Sequence, residues 1–156
     1  MNMLEMTAAT DPELVVAEAL RWVGTPYRHQ ASRLGVGCDC LGLVRGVWRA
    51  LLGDEPENAG PYAPDWAETS KDDPLFAAAT KHMLAAGGEP RCGHVLLFRW
   101  RPQMAAKHAG IALDDTRLIH AYQGHAVMIS PLVPQWRRRI AGVFAFPAAG
   151  GPTNKR

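Results

Sequence analysis

The chain has 156 residues, of which 47% are hydrophobic and 21% charged, and its formal net charge is +2. Those values fit one soluble globular domain able to bury a core of its own, spanning residues 1–156. The mildly basic balance carries no stripe of Lys and Arg that would mark a nucleic-acid surface, and no apolar run approaches the roughly 20 residues of a membrane span. Residues 1–10 lack the basic start and apolar stretch of a secretion signal, so synthesis in the cytoplasm without a signal peptide is expected. The three cysteines form an odd set, and Cys38 and Cys40 lie too close to bridge comfortably, which argues against a disulfide scaffold.

In chain order, Asp11-Pro12-Glu13 is a helix start, with Asp as N-cap and Pro at the first helical position. Apolar residues from Leu14 to Trp22 carry that helix to Gly24. Thr25-Pro26-Tyr27 is then an extended link, because Pro disfavours helix just before it. Residues 28–37 are a polar loop. Beyond it, Leu41, Val44, Val47, Trp48, Leu51 and Leu52 recur at spacings of three and four, the period of a helix with one buried stripe. Gly53 closes that helix as a C-cap and Pro56 blocks its continuation.

Residues 53–73 are rich in Pro, Gly, Asp and Glu without a period, which predicts an ordered excursion over the surface. A third helix is predicted over 74–86. After Gly93 the pattern changes to strands, at 95–100, 108–113, 117–122, 127–130 and 140–146, with Asp114-Asp115-Thr116 as a turn. The run Arg137-Arg138-Arg139 reads as a solvated turn. Residues 147–156 form a loose tail, leaving a core over about 11–146. Helices first and an antiparallel sheet afterwards predict the α+β class.

The chemistry concentrates at Cys40. It stands in the first turn of its helix, facing unpaired backbone N–H groups and the positive end of the helix dipole. Such a place is expected to lower a thiol pKa and favour the nucleophilic thiolate. The base is sought among six histidines, two of which, His108 and His120, flank the 114–116 turn. With a three-residue loop, Leu113 pairs with Arg117, His120 lies opposite Gly110, and both rings share a face. With a two-residue loop the pairing slips and the rings point to opposite faces. The first register would let Cys40 act as nucleophile, His108 as its base, and His120 as the group fixing the ring of His108. The Cys40 backbone N–H would serve the oxyanion, and Gly110 would leave room for substrate or for the Cys40 helix. His29, His82 and His125 are expected at the surface.

The blocks Gly24-Thr25-Pro26-Tyr27, Asp39-Cys40-Leu41-Gly42-Leu43-Val44, His108-Ala109-Gly110-Ile111 and Ile119-His120-Ala121 together resemble the NlpC/P60 family of cell-wall cysteine peptidases. The stretch from Cys38 to Arg49 is similar to the branch found in phage tails and gene transfer agents. The resemblance implies a papain-like α+β fold with N-terminal helices packed on an antiparallel sheet. It also implies cleavage of peptidoglycan stem peptides at the D-γ-glutamyl–diaminopimelate bond, with no cofactor and no metal. Carried over by position, Cys40 is the nucleophile, His108 the base and His120 the third polar residue. Tyr27 lines the site near the thiol, and Asp39 is the acid associated with the free amine of the stem peptide. Two positions depart from the family pattern: Leu41 stands where Ser is usual, and Gly93-His94 where Gly-Asp is usual. The branch implies tail or baseplate proteins as partners, and action on the target cell wall in the periplasm after delivery by a phage-like particle.

A different class of function is also open. Cys38, Cys40, Cys92 and His94 could supply four zinc ligands in a catalytically silent tail or baseplate protein, although C-x-C is not the usual zinc spacing.

Overall fold

The computed structural model describes residues 8–56 and 73–149. Most of the surface excursion expected at 53–73, and most of the tail after 147, lie outside those residues. Helix α1 (Pro12–Arg21) starts as its sequence predicts, with the Asp11 carboxylate accepting the N–H of Glu13 at 2.9 Å. Helix α2 (Cys40–Leu52) is capped by Asp39 and ends at Gly53, whose φ of 92° suits a residue without a side chain. Helix α3 (Pro74–His82) is capped by Asp73 and stops earlier than its apolar pattern predicts. Leu84–Ala85 instead form strand β3 and pair with a later strand, so sheet hydrogen bonds replace the last helical turn.

The remaining strands are β4 (Val95–Phe98), β5 (His108–Ala112), β6 (Arg117–Ala121), β7 (Val127–Pro131) and β8 (Ile140–Ala145). They join β3 in an antiparallel sheet of order β3-β8-β4-β5-β6-β7. Two further elements escape a reading from periodicity. Ser32–Arg33 (β1) and Gly37–Cys38 (β2) make a short hairpin inside the expected loop, and Pro134–Arg137 forms a one-turn helix, α4. The arginine run is correspondingly engaged rather than simply solvated. Arg137 lies 3.3 Å from Glu89, and the Arg139 guanidinium sits 5.1 Å over the Trp100 ring.

Alternation along the strands gives the sheet two apolar faces. Val95, Leu97, Ala109, Ile111, Ile119 and Ala121 pack under α1 and α2, where Val15, Ala19, Leu43 and Val47 are also buried. Leu96, Phe98, Ala112, Leu118, Leu132 and Val143 form the second core, closed by Trp136 of α4. Gly46 of α2 packs against Trp22, the C-cap residue of α1: a Cβ at Gly46 would lie 2.0 Å from Cζ2 of Trp22. Trp22 is itself buried and cannot withdraw without opening the core. Gly46→Ala is therefore expected to lower stability by about 3 kcal/mol, the upper end of ordinary overpacking costs. Urea denaturation checks this, with a midpoint equal to wild type as the contrary result.

Candidate active site

The turn between β5 and β6 settles the register question. Ile111 pairs with Ile119 and Ala112 with Leu118, and Leu113 N–H donates to Arg117 C=O at 2.9 Å. That is the three-residue loop, so His108 and His120 share a face. Their rings meet directly, with a hydrogen bond of 2.8 Å between Nε2 of His108 and Nδ1 of His120. Gly110 does not leave space for a ligand or for α2, contrary to the expectation. A Cβ there would lie 2.8 Å from Leu118 Cδ1 and 3.2 Å from His120 Cβ, so the glycine admits the side chains of β6.

Both rings are nearly inaccessible, at 5% for His108 and 2% for His120. The Trp136 ring centroid stands 5.6 Å from that of His108 and 5.4 Å from that of His120, with Phe98, Trp100 and Tyr122 around them. In this apolar setting the charged form of each imidazole loses its hydration. Burial, reinforced by His120, pushes His108 down to about 3, and burial with His125 nearby pushes His120 down to about 4.

Cys40 approaches β5 from the α2 side of the sheet. Strand α-to-β packing sets α2 against β5. The β5–β6 ladder is formed at Ile111 and Ala112 and stops short of Ala109. The Ala109 amide meets the Cys40 thiol there, one peptide along from His108. The amides of Leu41 and Cys40, at the open start of α2, face the same sulfur. These three donors favour the thiolate, as helix-start logic predicts. They are outweighed: burial, together with the Asp39 carboxylate, pushes the Cys40 thiol up to about 12. The expectation of a depressed thiol pKa is corrected on that ground. Cys40 keeps its proton at neutral pH, although the residue as a whole is only half-buried.

Asp39 is 2% exposed, and both oxygens are engaged by backbone. Oδ1 accepts Gly42 N–H and Oδ2 accepts Gln30 N–H, each at 2.7 Å. His29 stands 3.9 Å from Oδ2. The carboxylate thus caps α2 and ties the 28–33 loop to its start. Tyr27 is set beside the thiol by a backbone bridge to Cys38, with Cys38 N–H donating to Pro26 C=O at 3.0 Å. Burial first, then the charges of Cys40, Asp39 and Cys38, push its phenol up to about 12. The structure therefore gathers Cys40, Asp39 and Tyr27 at one end of α2. It joins His108 to His120 at the adjoining end of β5.

Residues 24–144 match the NlpC/P60 family. The chain belongs to the NlpC/P60 family. It is 31% identical over 139 residues to the gamma-DL-glutamyl hydrolase of Bacillus subtilis (strain 168), covering 88% of this chain and 30% of that protein. The chain thus spans about a third of the length of that curated relative. Among solved structures it resembles the NlpC/p60 domain of the peptidoglycan hydrolase SagA, with 23% identity and a TM-score of 0.56 over 87% of this chain and 98% of that one. An NlpC/P60 protein of Bacillus cereus gives a TM-score of 0.60 at 16% identity, covering 86% of this chain and 40% of that one. These structural likenesses carry the family's α+β fold.

Within the family pattern, the substitution of His for Asp after Gly93 has a local explanation. His94 Nδ1 accepts the N–H of Arg91 at 3.1 Å, a bond that a carboxylate oxygen at the same place could also accept. Gly93 itself is required, because its φ is 83° and a Cβ would lie 2.8 Å from Pro12 Cα. Leu41 is partly buried against the helix-side core, so apolar packing occupies the position where the family usually has a hydroxyl. The four proposed zinc ligands do not assemble. Cys38 is fully buried on β2, Cys92 Sγ lies 3.7 Å from Pro12 C=O, and His94 is engaged by Arg91. Among the described residues, no group of three or more His, Cys, Asp or Glu could hold a metal ion. One polar residue was not anticipated: Ser130 Oγ lies 2.9 Å from Nε2 of His120. Its even spacing from His120 was its only trace in the sequence.

The buried neutral histidines make stability pH-dependent with a definite sign. Unfolded, both titrate near an ordinary 6.5, whereas folded they resist protonation until about 3 and about 4. The unfolded state then binds more protons below 6.5, so stability is full above that value and falls as the pH drops toward 4. The slope approaches about 1.4 kcal/mol per pH unit for each histidine. Urea midpoints at pH 7.5 and 5.0 should differ accordingly, and equal midpoints would contradict the burial of the pair.

Proposed function

We propose that this chain is a cysteine endopeptidase of peptidoglycan stem peptides, cutting the D-γ-glutamyl–diaminopimelate bond. The observation that carries the reading is the thiol of Cys40 held at the Ala109 amide near the start of β5, one residue after a His108 whose Nε2 is bonded to His120. NlpC/P60 peptidoglycan hydrolases are in general cysteine peptidases, and the curated relative's name specifies a γ-glutamyl linkage.

The resting site holds a neutral thiol and a neutral imidazole, so the thiolate forms only as reaction begins. Nε2 of His108 is held by His120, which leaves Nδ1 to take the thiol proton. The sulfur attacks the γ-glutamyl carbonyl, and the Cys40 N–H stabilises the oxyanion. The tetrahedral species collapses as His108 returns the proton to the departing amine, leaving a thioester. Water, deprotonated by His108, then releases the acid and restores the thiol. Tyr27 borders the thiol and orients the peptide, while the Asp39 charge lies beneath the end that binds the free amine.

The residues from Cys38 to Arg49 support a more particular setting, a phage-like tail or gene-transfer-agent baseplate that carries the enzyme to the target wall. Digestion of Gram-negative stem peptides with mass spectrometry tests the bond, since fragments beginning with diaminopimelate are expected. Cleavage elsewhere overturns the bond assignment. Proteomics of purified phage-like particles from the producing cells tests the setting, and absence of the chain from them would overturn it.

A further inference from the structure

The His108–His120 pair does not end at His120. Nε2 of His120 is 2.9 Å from Ser130 Oγ on β7, where Leu118 pairs with Ser130 and His120 with Met128. Ser130 is therefore diagonal to His120 on the same sheet face. The other surroundings of the two rings are largely aromatic, with Trp136 against both of them. Three polar groups, on β5, β6 and β7, thus form one hydrogen-bonded row: His108, His120, Ser130.

Such a row has two polarities. In one, Ser130 Oγ accepts the Nε2–H of His120, Nδ1 of His120 accepts the Nε2–H of His108, and Nδ1 of His108 keeps its lone pair. In the other, the Ser130 hydroxyl donates, every proton shifts by one place, and Nδ1 of His108 carries hydrogen. A thiol that rests protonated can be served only by the first. We infer that Ser130 is a positioning residue that accepts from His120 and so holds His108 in the tautomer able to take a proton at Nδ1. The inference rests on the peptidase reading for its consequence, but not for its geometry.

When His108 becomes the imidazolium, its Nε2–H donates more strongly to His120, and the added polarity is passed to Ser130 Oγ. Removing the acceptor therefore disfavours the charged pair, and a carboxylate in its place favours it. Among the described residues, the titratable groups around His120 are His108, Tyr122 just after β6, and His125, which stacks on Tyr122.

The test is long-range 15N–1H NMR of the full chain in wild type, Ser130→Ala, Ser130→Thr and Ser130→Asp. At pH 7.5 the wild type and Ser130→Thr should show both rings protonated at Nε2, and Ser130→Ala should show a mixture of tautomers. The apparent pKa of the pair should fall in Ser130→Ala and rise by about one unit or more in Ser130→Asp. Nδ1–H on either ring of the wild type, or one titration curve shared by all four proteins, would overturn the inference. A purely structural serine would change the melting temperature and leave the tautomers alone. These readouts need no substrate. An intact relay in a chain that cleaves nothing would therefore sink the peptidase reading and leave the role of Ser130 standing. In an active chain, the acid limb of kcat/KM should move with the NMR pKa, downward in Ser130→Ala and upward in Ser130→Asp, and an unmoved limb would also overturn it.

Discussion

Replacing His108 by alanine should lower kcat/KM on a γ-glutamyl–diaminopimelate peptide by about 10³-fold, within the range typical of a lost general base. The size of the effect follows from the state of the thiol. Were Cys40 already a thiolate at rest, a missing base would cost the attack step little. Here burial and Asp39 push the thiol up to about 12, so attack needs a proton acceptor at hand. The loss should fall on kcat with KM nearly unchanged, because the imidazole assists the reacting bond. His108→Ala also removes a buried ring from among Phe98, Trp100 and Trp136, so folding has to be checked by near-UV circular dichroism. A folded variant with kcat within a factor of ten of wild type would contradict His108 as the base.

The second large effect is on structure. At Gly42 a Cβ would fall 1.9 Å from the carbonyl oxygen of Ala31 and 3.1 Å from Asp39 Oδ1. Neither atom can yield cheaply. Ala31 C=O accepts the Asp39 N–H at 3.2 Å, and Asp39 Oδ1 accepts the N–H of Gly42 itself. Ser32 Oγ donates back to Gly42 C=O at 2.6 Å. Adding one methyl therefore separates the 28–33 loop from the start of α2, losing an N-cap worth about 1 kcal/mol in addition to the overpacking cost. Gly42→Ala should lose about 3 kcal/mol or more in urea denaturation. It should also lose peptidase activity under conditions where it remains folded, because Cys40 is carried by the same turn. Wild-type stability would show that the loop is free to move away.

What could be read from the chain beforehand was mostly local. The caps at Asp11 and Gly53 act within a few residues of themselves, so the start of α1 and the end of α2 follow from neighbouring letters, whereas the Asp39 cap of α2 emerged only in the structure. The His108–His120 face depended on one turn of two or three residues, which left two registers until the Leu113–Arg117 bond decided between them. Distant partners were not legible. Helix α3 ends early because β8 offers Leu84 and Ala85 hydrogen bonds from some 60 positions away along the chain. The thiol pKa depends on burial in the folded chain and on the charge of the neighbouring Asp39 carboxylate, which together overrode the helix-start effect. Ser130 reaches His120 through the pairing of β6 with β7, for which hydrophobic periodicity carries no signal. Trp136 belongs to a single helical turn too short to show a period.

The central claim is that Cys40 forms the covalent bond to substrate. The most direct test is the reaction of a γ-D-glutamyl–diaminopimelate stem peptide with wild type and with Cys40→Ala, matched for folding and followed by mass spectrometry. The account predicts release of the diaminopimelate-bearing fragment by wild type, with none above the uncatalysed rate by Cys40→Ala. Equal cleavage by the two proteins would place the chemistry elsewhere in the chain and contradict the account.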